Sequence, residues 1–184
     1  MKTIEKKTIE KIKTKTTSTY EGKVNGLISA EYFYYKTNTE DIGNNLVEGN
    51  TDLTFLKFFH NGKTLLVSDR NIKNKISWDQ LNERNLVFGK TIEINNIKYR
   101  VRLLTSNEWD KLIVKYTPKN SDSHWSNMYS WCQNVYSIEY LKRYCSTVLT
   151  VRVMRGYSTV SYFTDSTSSN VNTNIGWRPC LEIL

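Results

Sequence analysis

The segment from Thr54 to Asp69 constrains the fold most, because it has the pattern of a β-hairpin. Two apolar, partly alternating runs, TFLKFF and TLLVSD, lie on either side of HNGK. An Asn-Gly pair between such runs favours a type I′ turn, which needs positive φ at both central positions. Antiparallel strands are therefore expected on both sides of Asn61 and Gly62.

A second hairpin is predicted in Lys90–Leu104, where apolar residues flank Asn95 and Asn96. Asparagine adopts the left-handed conformation of a tight turn more readily than most other residues. The first half of the chain is thus expected to be rich in antiparallel strands.

Two helix starts are also indicated. Ser77 fits the N-cap of a helix that carries apolar residues at roughly helical spacing, namely Trp78, Leu81 and Leu86. Thr105 to Glu108 fits a capping box, in which each of these two side chains bonds the other residue's backbone amide. The helix that follows has one apolar face and is expected to end at Pro118; the face comprises Trp109, Leu112, Ile113 and Tyr116.

The second half of the chain, Ser121 to Asn174, is rich in Ser, Asn, Tyr and Thr and has few continuous apolar runs. It is predicted to be long, irregular and loop-rich, interrupted only by YSWCQNVY and TVLTVRVM. The chain then ends in GWRPCLEIL. Trp177, Arg178 and Pro179 are interpreted as the point where it re-enters the core, and CLEIL as a short C-terminal strand.

Length and composition favour one domain that needs no disulfides or metal, since 184 residues can bury a sufficient core. Three cysteines (Cys132, Cys145, Cys180) and two histidines (His60, His124) are spaced too widely for a metal clip. Buried free thiols are therefore predicted. No segment resembles a signal peptide or a bilayer span, so a soluble chain without membrane insertion is expected.

Half of the net charge of +8 lies at the N-terminus, where seven lysines and three glutamates occur up to Lys23. This distribution is typical of a basic arm rather than a basic groove, so nucleic acid is not the expected partner. Residues 1–30 are predicted to be an arm, of undetermined conformation, that anchors the protein in an assembly. Residues 31–184 are predicted to be the folded domain.

Catalytic motifs are not matched. Gly62-Lys63-Thr64 and Gly89-Lys90-Thr91 lack the earlier glycine of a phosphate-binding loop, since Lys57 and Arg84 occupy those positions. No nucleophile, base or close carboxylate pair stands out in the sequence. The chain is therefore expected to be non-enzymatic and to need no cofactor.

The ordered set of segments from FFHNGKTLLVSD through LLTSNEW, YSWCQN and RVMRGYSTVSYF to GWRPCLEIL resembles a family of C-type lectin-like proteins. Phages and prophages of low-GC Gram-positive bacteria encode this family, commonly among virion structural or tail genes. The resemblance covers about residues 53–184. It implies an α+β, C-type lectin-like fold with small antiparallel sheets, two helices and a long loop-rich face.

More distantly, the sequence is similar to formylglycine-generating enzymes and to the variable proteins of diversity-generating retroelements. It departs from calcium-dependent lectins, because their ligand motifs are missing and Asp165 is the only carboxylate between Glu139 and Glu182. The cysteines do not match the copper-binding signatures of the enzymes. The resemblance therefore implies neither calcium-mediated sugar binding nor oxidation chemistry.

The resemblance implies a protein on the virion surface, in a tail, fibre or capsid, that recognises a host-surface glycan or protein. Its loop face would supply the contact, because Tyr, Ser, Asn and Arg suit adaptable surfaces. The predicted contact residues are Arg152, Arg155, Tyr157, Ser158, Tyr162, Asp165, Ser168, Asn170, Asn172 and Asn174. The same residues are also compatible with an ordinary solvated loop.

The basic arm is expected to join the domain to other virion proteins, and the protein to form a homo-oligomer, with a trimer among the candidates. One alternative is a purely structural or decoration protein, whose loop face packs on its neighbours. A formylglycine-generating type of enzyme is a third alternative of lower weight.

Overall fold

Two six-stranded sheets with short helices packed on them form the part of the chain that the structure, a computed structural model, describes: residues 17–116, 126–135 and 151–184. Most strand pairs are antiparallel, which confirms a mixed α+β class. Within these ranges, no helix is both long and apolar enough to cross a membrane.

The described strands, in chain order, are β1 (Ser18–Val24), β2 (Asn44–Asn45), β3 (Phe55–His60), β4 (Lys63–Ser68), β5 (Lys73–Asn74), β6 (Lys90–Ile94), β7 (Ile97–Arg102), β8 (Tyr129–Val135), β9 (Val151–Gly156), β10 (Phe163–Thr167), β11 (Ile175–Trp177) and β12 (Cys180–Ile183). The helices are α1 (Ala30–Thr37), α2 (Trp78–Glu83) and α3 (Ser106–Glu108), and α3 continues as a π-helical segment, Trp109–Val114.

The first sheet has the order β1-β3-β4-β12-β7-β6. Both predicted hairpins are confirmed in it. Asn61 and Gly62 have φ of 52° and 80°, and Asn95 and Asn96 have φ of 51° and 63°, as tight turns with left-handed central residues require.

The C-terminal strand β12 pairs with β4 on one side and β7 on the other, which confirms the predicted CLEIL strand. The preceding residues are packed tightly. A Cβ on Gly176 would come within 2.7 Å of the Lys73 carbonyl oxygen and 2.8 Å of the Asn71 side chain, so only glycine fits there. Trp177 and Arg178 are buried, as the sequence indicated.

The first sheet is covered on both faces. One face packs against α1 and α2 in a large apolar core. Phe33 of α1, Phe55 of β3 and Trp177 of β11 belong to this core. The other face packs under the π-helical segment, where Trp109 and Leu112 contact a smaller cluster. Arg178 is buried beside this cluster, with its guanidinium carbon 5.2 Å from the ring centroid of Trp109. Burial lowers the pKa of Arg178 to about 10.

Both predicted helix starts are confirmed. Ser77 and Gln80 form a complete capping box, and so do Thr105 and Glu108. The helix that begins after Thr105 was expected to be α-helical throughout, but after α3 it continues as the π-helical segment Trp109–Val114. Its apolar face is nevertheless buried at Trp109, Leu112 and Ile113. The predicted stop at Pro118 falls outside the described residues.

The folded domain begins earlier than predicted. β1 pairs along its length with β3, with a bulge before Gly22, and Ile28 and Ala30 are buried in the main core. The boundary at residue 30 therefore needs correction: Ser18 onwards belongs to the sheet domain. The remainder of the predicted arm, residues 1–16, lies outside the described residues.

The second sheet has the order β10-β9-β8-β11-β5-β2, with β8 and β11 parallel. The prediction of an irregular second half is therefore wrong for β10, whereas β8 and β9 lie within the two interrupting segments, YSWCQNVY and TVLTVRVM, except for the last two residues of β9, and β11 begins after Asn174. The side chains of β10, FTDST, alternate between exposed and half-buried. Thr is favoured in strands, but a strand without buried apolar residues has no apolar pattern by which the sequence could reveal it. Residues 157–162 and 168–174 connect these strands. Residues 121–125 and 136–150 of the predicted loop region lie outside the described ranges.

Two of the predicted buried thiols are confirmed. Cys132 and Cys180 are free and buried, and burial raises the pKa of each to about 12. At neutral pH both therefore remain protonated, apolar core residues. Cys145 and His124 lie outside the described residues.

A buried ion-pair network joins the last strand to the capping box. Arg102 Nε donates to Glu182 Oε2 at 3.3 Å, and its two terminal nitrogens donate to Glu108 at 2.9 and 2.7 Å. Lys63 Nζ donates to Glu182 Oε1 at 2.6 Å. Burial alone would raise the pKa of Glu182, but the hydrogen bonds from Lys63 and Arg102 bring it below its usual value.

We predict that Glu182→Gln lowers the free energy of unfolding at pH 7 by about 1–3 kcal/mol, since Lys63 and Arg102 lose a charged acceptor. A carboxyl with a lowered folded pKa stabilises the fold above its unfolded pKa of about 4.3, and this contribution is lost as the pH falls through the folded pKa. Denaturant unfolding at several pH values should therefore show the variant and the parent converging in acid. Glu21→Gln, which removes an exposed pair with Lys57, is the control and should change little. Equal effects of the two substitutions at pH 7 would contradict a role for the buried network.

Candidate functional site

Three tyrosines meet where β8 begins and β9 ends, and we call them the tyrosine face: Tyr129, Tyr157 and Tyr162. The rings of Tyr129 and Tyr157 are stacked, with centroids 4.6 Å apart and planes 9° apart. Tyr162 lies 6.2 Å from Tyr129. The pairing of Tyr129 with Gly156 brings the first two rings together, although they are far apart in sequence.

The backbone of Tyr157 is strained. Its φ is 84°, a value that bulky residues rarely adopt, and Gly156 before it has φ of 94°. Two hydrogen bonds hold the turn: Asn127 N–H donates to the Tyr157 carbonyl at 2.9 Å, and Gly156 N–H donates to the Tyr162 carbonyl at 3.1 Å. Such a conformation costs on the order of 1–3 kcal/mol, and strained residues cluster at functional sites.

The tyrosine face is accessible to water. Tyr162 is 42% exposed, while Tyr129 and Tyr157 are half-buried. Burial, followed by the neighbouring phenols of Tyr162 and Tyr157, raises the pKa of Tyr129. Its hydroxyl therefore remains protonated at neutral pH, where it can both donate and accept hydrogen bonds.

Arg155 does not belong to this surface, which corrects its prediction as a contact residue. Its side chain is buried and forms an ion pair with Asp110. It also donates to the Ser106 hydroxyl at 2.9 Å, and its guanidinium carbon lies 5.5 Å from the ring centroid of Phe163. Arg155 of β9 therefore links the second sheet to Ser106 of α3 and to Asp110 of the π-helical segment.

Ser168 is a second correction. It is 2% exposed, its hydroxyl donates to the Asp79 carboxylate at 2.9 Å, and its carbonyl accepts from the Asp79 N–H at 3.1 Å. Because Asp79 lies in the first turn of α2, Ser168 anchors its loop to that helix. It is not placed to contact a ligand.

Arg152 lies further along β9 from Tyr157, half-buried, with its guanidinium carbon 4.1 Å from the ring centroid of Trp78. Asp165 is exposed on β10, which is at the edge of the described sheet. The structure does not bring these two residues to the tyrosine face.

The other predicted residues border the face or shape its loop. Ser158 and Asn172 are exposed. The Asn174 carbonyl accepts from Tyr129 N–H at 2.7 Å. Asn170 donates to the Ser166 hydroxyl at 2.7 Å and accepts from Asn172 N–H at 3.0 Å, so its side chain holds the loop instead of facing a ligand.

The tyrosine face has the composition of an adaptable contact surface, since exposed Ser158 follows Tyr157 and the backbones of Asn127 and Asn174 are hydrogen-bonded to those of Tyr157 and Tyr129. Comparison with known protein families, curated proteins and solved structures found no match to this chain. The function is therefore inferred from the chemistry of the described residues and from the sequence.

Tyr129 is not among the contact residues predicted from the sequence, although it lies in the YSWCQN segment. No local signal could have found it, because its role depends on the register of β8 against β9. A second missed feature is the contact between the Ser18 hydroxyl and His60 Nδ1 at 2.7 Å. Both residues are buried and they are paired in the β1–β3 register, so the contact joins strands. Burial lowers the pKa of His60, which keeps its ring neutral near pH 7.

We predict that Tyr157→Gly is more stable than Tyr157→Ala by about 1 kcal/mol, because only glycine is unstrained at positive φ. Both variants lose the ring stacking, so thermal unfolding isolates the backbone contribution. The matched control is Ser158, whose φ is not positive and where alanine should be at least as stable as glycine. A Tyr157→Ala variant at least as stable as Tyr157→Gly would show that Tyr157 is not strained.

Proposed function

We propose that this chain is a non-enzymatic protein of a phage particle surface that binds a host-surface glycan or protein through the tyrosine face. One observation carries the binding role: a stacked, partly exposed tyrosine pair is maintained on a strained backbone. The virion setting rests on the resemblance of the sequence to C-type lectin-like proteins of phages and prophages.

A C-type lectin-like fold is part of this proposal. The region that carries the resemblance starts near β3 and ends at β12, and its first hairpin pairs directly with its last strand. Helices pack on that sheet, and every strand of the second sheet except β2 lies in sequence between the first hairpin and the last strand. This arrangement is compatible with the fold that the resemblance implies.

Tyrosine suits recognition for physical reasons. Its ring gives a large contact area with few rotatable bonds, and its hydroxyl bonds to either a sugar hydroxyl or a peptide group. Energetically important residues at interfaces are often tyrosines surrounded by near-neutral contacts. Ser158 is exposed next to Tyr157 in sequence, and the exposed Asn127 is hydrogen-bonded to the Tyr157 carbonyl; both would provide such contacts.

Attachment to the particle is assigned to residues 1–16, which carry six lysines and two glutamates. This segment is too polar to form a core by itself and lies directly before β1. It would join the domain to other virion proteins or to further copies of the chain, so that many tyrosine faces act together.

We predict that Tyr162→Ala and Tyr157→Gly each weaken binding of the isolated protein to host cells by about thirtyfold, equivalent to roughly 2 kcal/mol. Binding of labelled protein should be measured together with the melting temperature, since a folding defect would mimic lost contacts. Phe88→Ala is the control, because Phe88 is an aromatic residue 62% exposed outside the tyrosine face. Unchanged binding with an intact fold would favour the decoration protein, whose loop face contacts only its neighbours.

We predict that deleting residues 1–15 leaves the melting temperature unchanged and abolishes incorporation into particles. Deleting residues 1–22 should also lower the melting temperature, because it removes most of β1 and its pairing with β3. Comparing the two deletions therefore distinguishes loss of incorporation into particles from loss of folding stability. Normal incorporation of the shorter deletion would contradict the assigned role of the N-terminal segment.

A further inference from the structure

A second aromatic surface lies on α1, away from the tyrosine face. Tyr32 and Tyr35 are 47% and 63% exposed, and their rings are stacked at 6.2 Å with an angle of 20° between planes. They occupy the outer side of the helix, whose buried residues are Ala30, Phe33, Tyr34 and Thr37. Packing within the domain therefore does not explain why these two positions are aromatic.

The two rings border a cleft between α1 and the following loop. This cleft has a volume of about 380 Å³ and is lined by Ser29, Glu31, Tyr32, Tyr35, Glu40 and Asn50. A second hollow of about 360 Å³ shares Glu31 and Glu40 with it. We call the two together the α1 cleft; both hollows are open to solvent, so a ligand would be held at the surface.

The α1 cleft is acidic, although the protein carries a net charge of +8. Glu31 and Glu40 line both of its hollows. Neither carboxylate forms a salt bridge with any residue in the described ranges, whereas the neighbouring Asp41 is paired with Arg84 at 3.1 Å. A cation in the cleft would therefore meet two carboxylates without a direct ion-pair partner in the described ranges, and only Glu40 also feels the more distant charges of Lys73 and Lys90.

The ammonium group of Lys36 already lies over one of the two tyrosine rings of the cleft. Lys36 Nζ lies 4.9 Å from the ring centroid of Tyr32, within the distance of a cation–π interaction. Tyr35 has no such partner among the described residues and is the more exposed of the two.

We propose that the α1 cleft binds an organic ammonium group, and that a quaternary trimethylammonium group is its best ligand. Aromatic faces attract such cations through the negative potential of the ring. A quaternary group donates no hydrogen bonds, so it loses little on leaving water, and the two carboxylates supply long-range attraction. This site is separate from the tyrosine face, and its occupancy does not depend on the proposed host recognition.

The test is a titration of the isotopically labelled full-length chain with choline, followed by NMR. Choline should shift resonances of Tyr32, Tyr35 and the cleft loop with a dissociation constant on the order of millimolar. The comparison ligand is 3,3-dimethylbutan-1-ol, which has the same shape without the charge and should bind much more weakly. n-Butylammonium tests a primary amine and should also bind more weakly than choline.

Three substitutions sharpen the test. Tyr35→Leu and Glu40→Gln should each weaken choline binding by about two- to fivefold. Lys36→Met should strengthen it by a similar factor, because it removes the cation that competes for Tyr32. Tyr162→Leu is the matched control, since Tyr162 is an exposed tyrosine in the loop between β9 and β10 and should leave choline binding unchanged.

Several results would overturn the proposal. These are no shifts at tens of millimolar choline, equal binding of the neutral alcohol, or tighter binding of n-butylammonium than of choline. Equal losses in Tyr35→Leu and Tyr162→Leu would point to non-specific contact with tyrosines. Melting temperatures of all variants should be recorded, and Glu40→Gln keeps the test valid if Tyr35→Leu unfolds. Loss of host binding in tyrosine-face variants with choline binding intact would separate this site from the proposed function.

Discussion

The guanidinium of Arg102 joins three parts of the chain that lie far apart in sequence or in the fold. It belongs to the second hairpin, it bonds the carboxylate that completes the capping box, and it bonds Glu182 in the last strand. Lys63 adds the first hairpin to the same carboxylate. One charged cluster therefore links the two hairpins, α3 and β12, in addition to the strand pairing that joins β12 to both hairpins. The second sheet is linked to the π-helical segment through the ion pair of Arg155 with Asp110.

Local chemistry explains which features the sequence predicts. Asn61-Gly62, Ser77 and Thr105 act within four or five residues, so the hairpins and helix starts could be recognised before the structure. β1 could not, because its pairing with β3 is long-range and its composition resembles a flexible arm. Arg155 and Ser168 have the residue types of a contact surface, and only their partners show that they are internal. Whether the fold is that of C-type lectins remains a proposal.

The tyrosine face and the α1 cleft use the same residue type for different chemistry. In the first, Ser158 and Asn127 are exposed beside Tyr157, which favours a neutral partner that shares hydrogen bonds. In the second, carboxylates accompany the rings, which favours a positive charge. The first depends on strand register and the second on helical spacing of three residues, so different features of the backbone position the two sets of rings.

The central position of β12 also has a kinetic consequence. Its partners in β4 precede it by more than a hundred residues, as the pairing of Cys180 with Val67 shows. Before β12 pairs with them, β4 and β7 each have an edge with unpaired backbone N–H and C=O groups. Such long-range closure is slow, so each hairpin can form early while the sheet is completed late. During that interval, extended segments of other chains compete with β12 for pairing with β4 and β7. The fraction of chains that fold correctly is therefore expected to fall as the protein concentration rises.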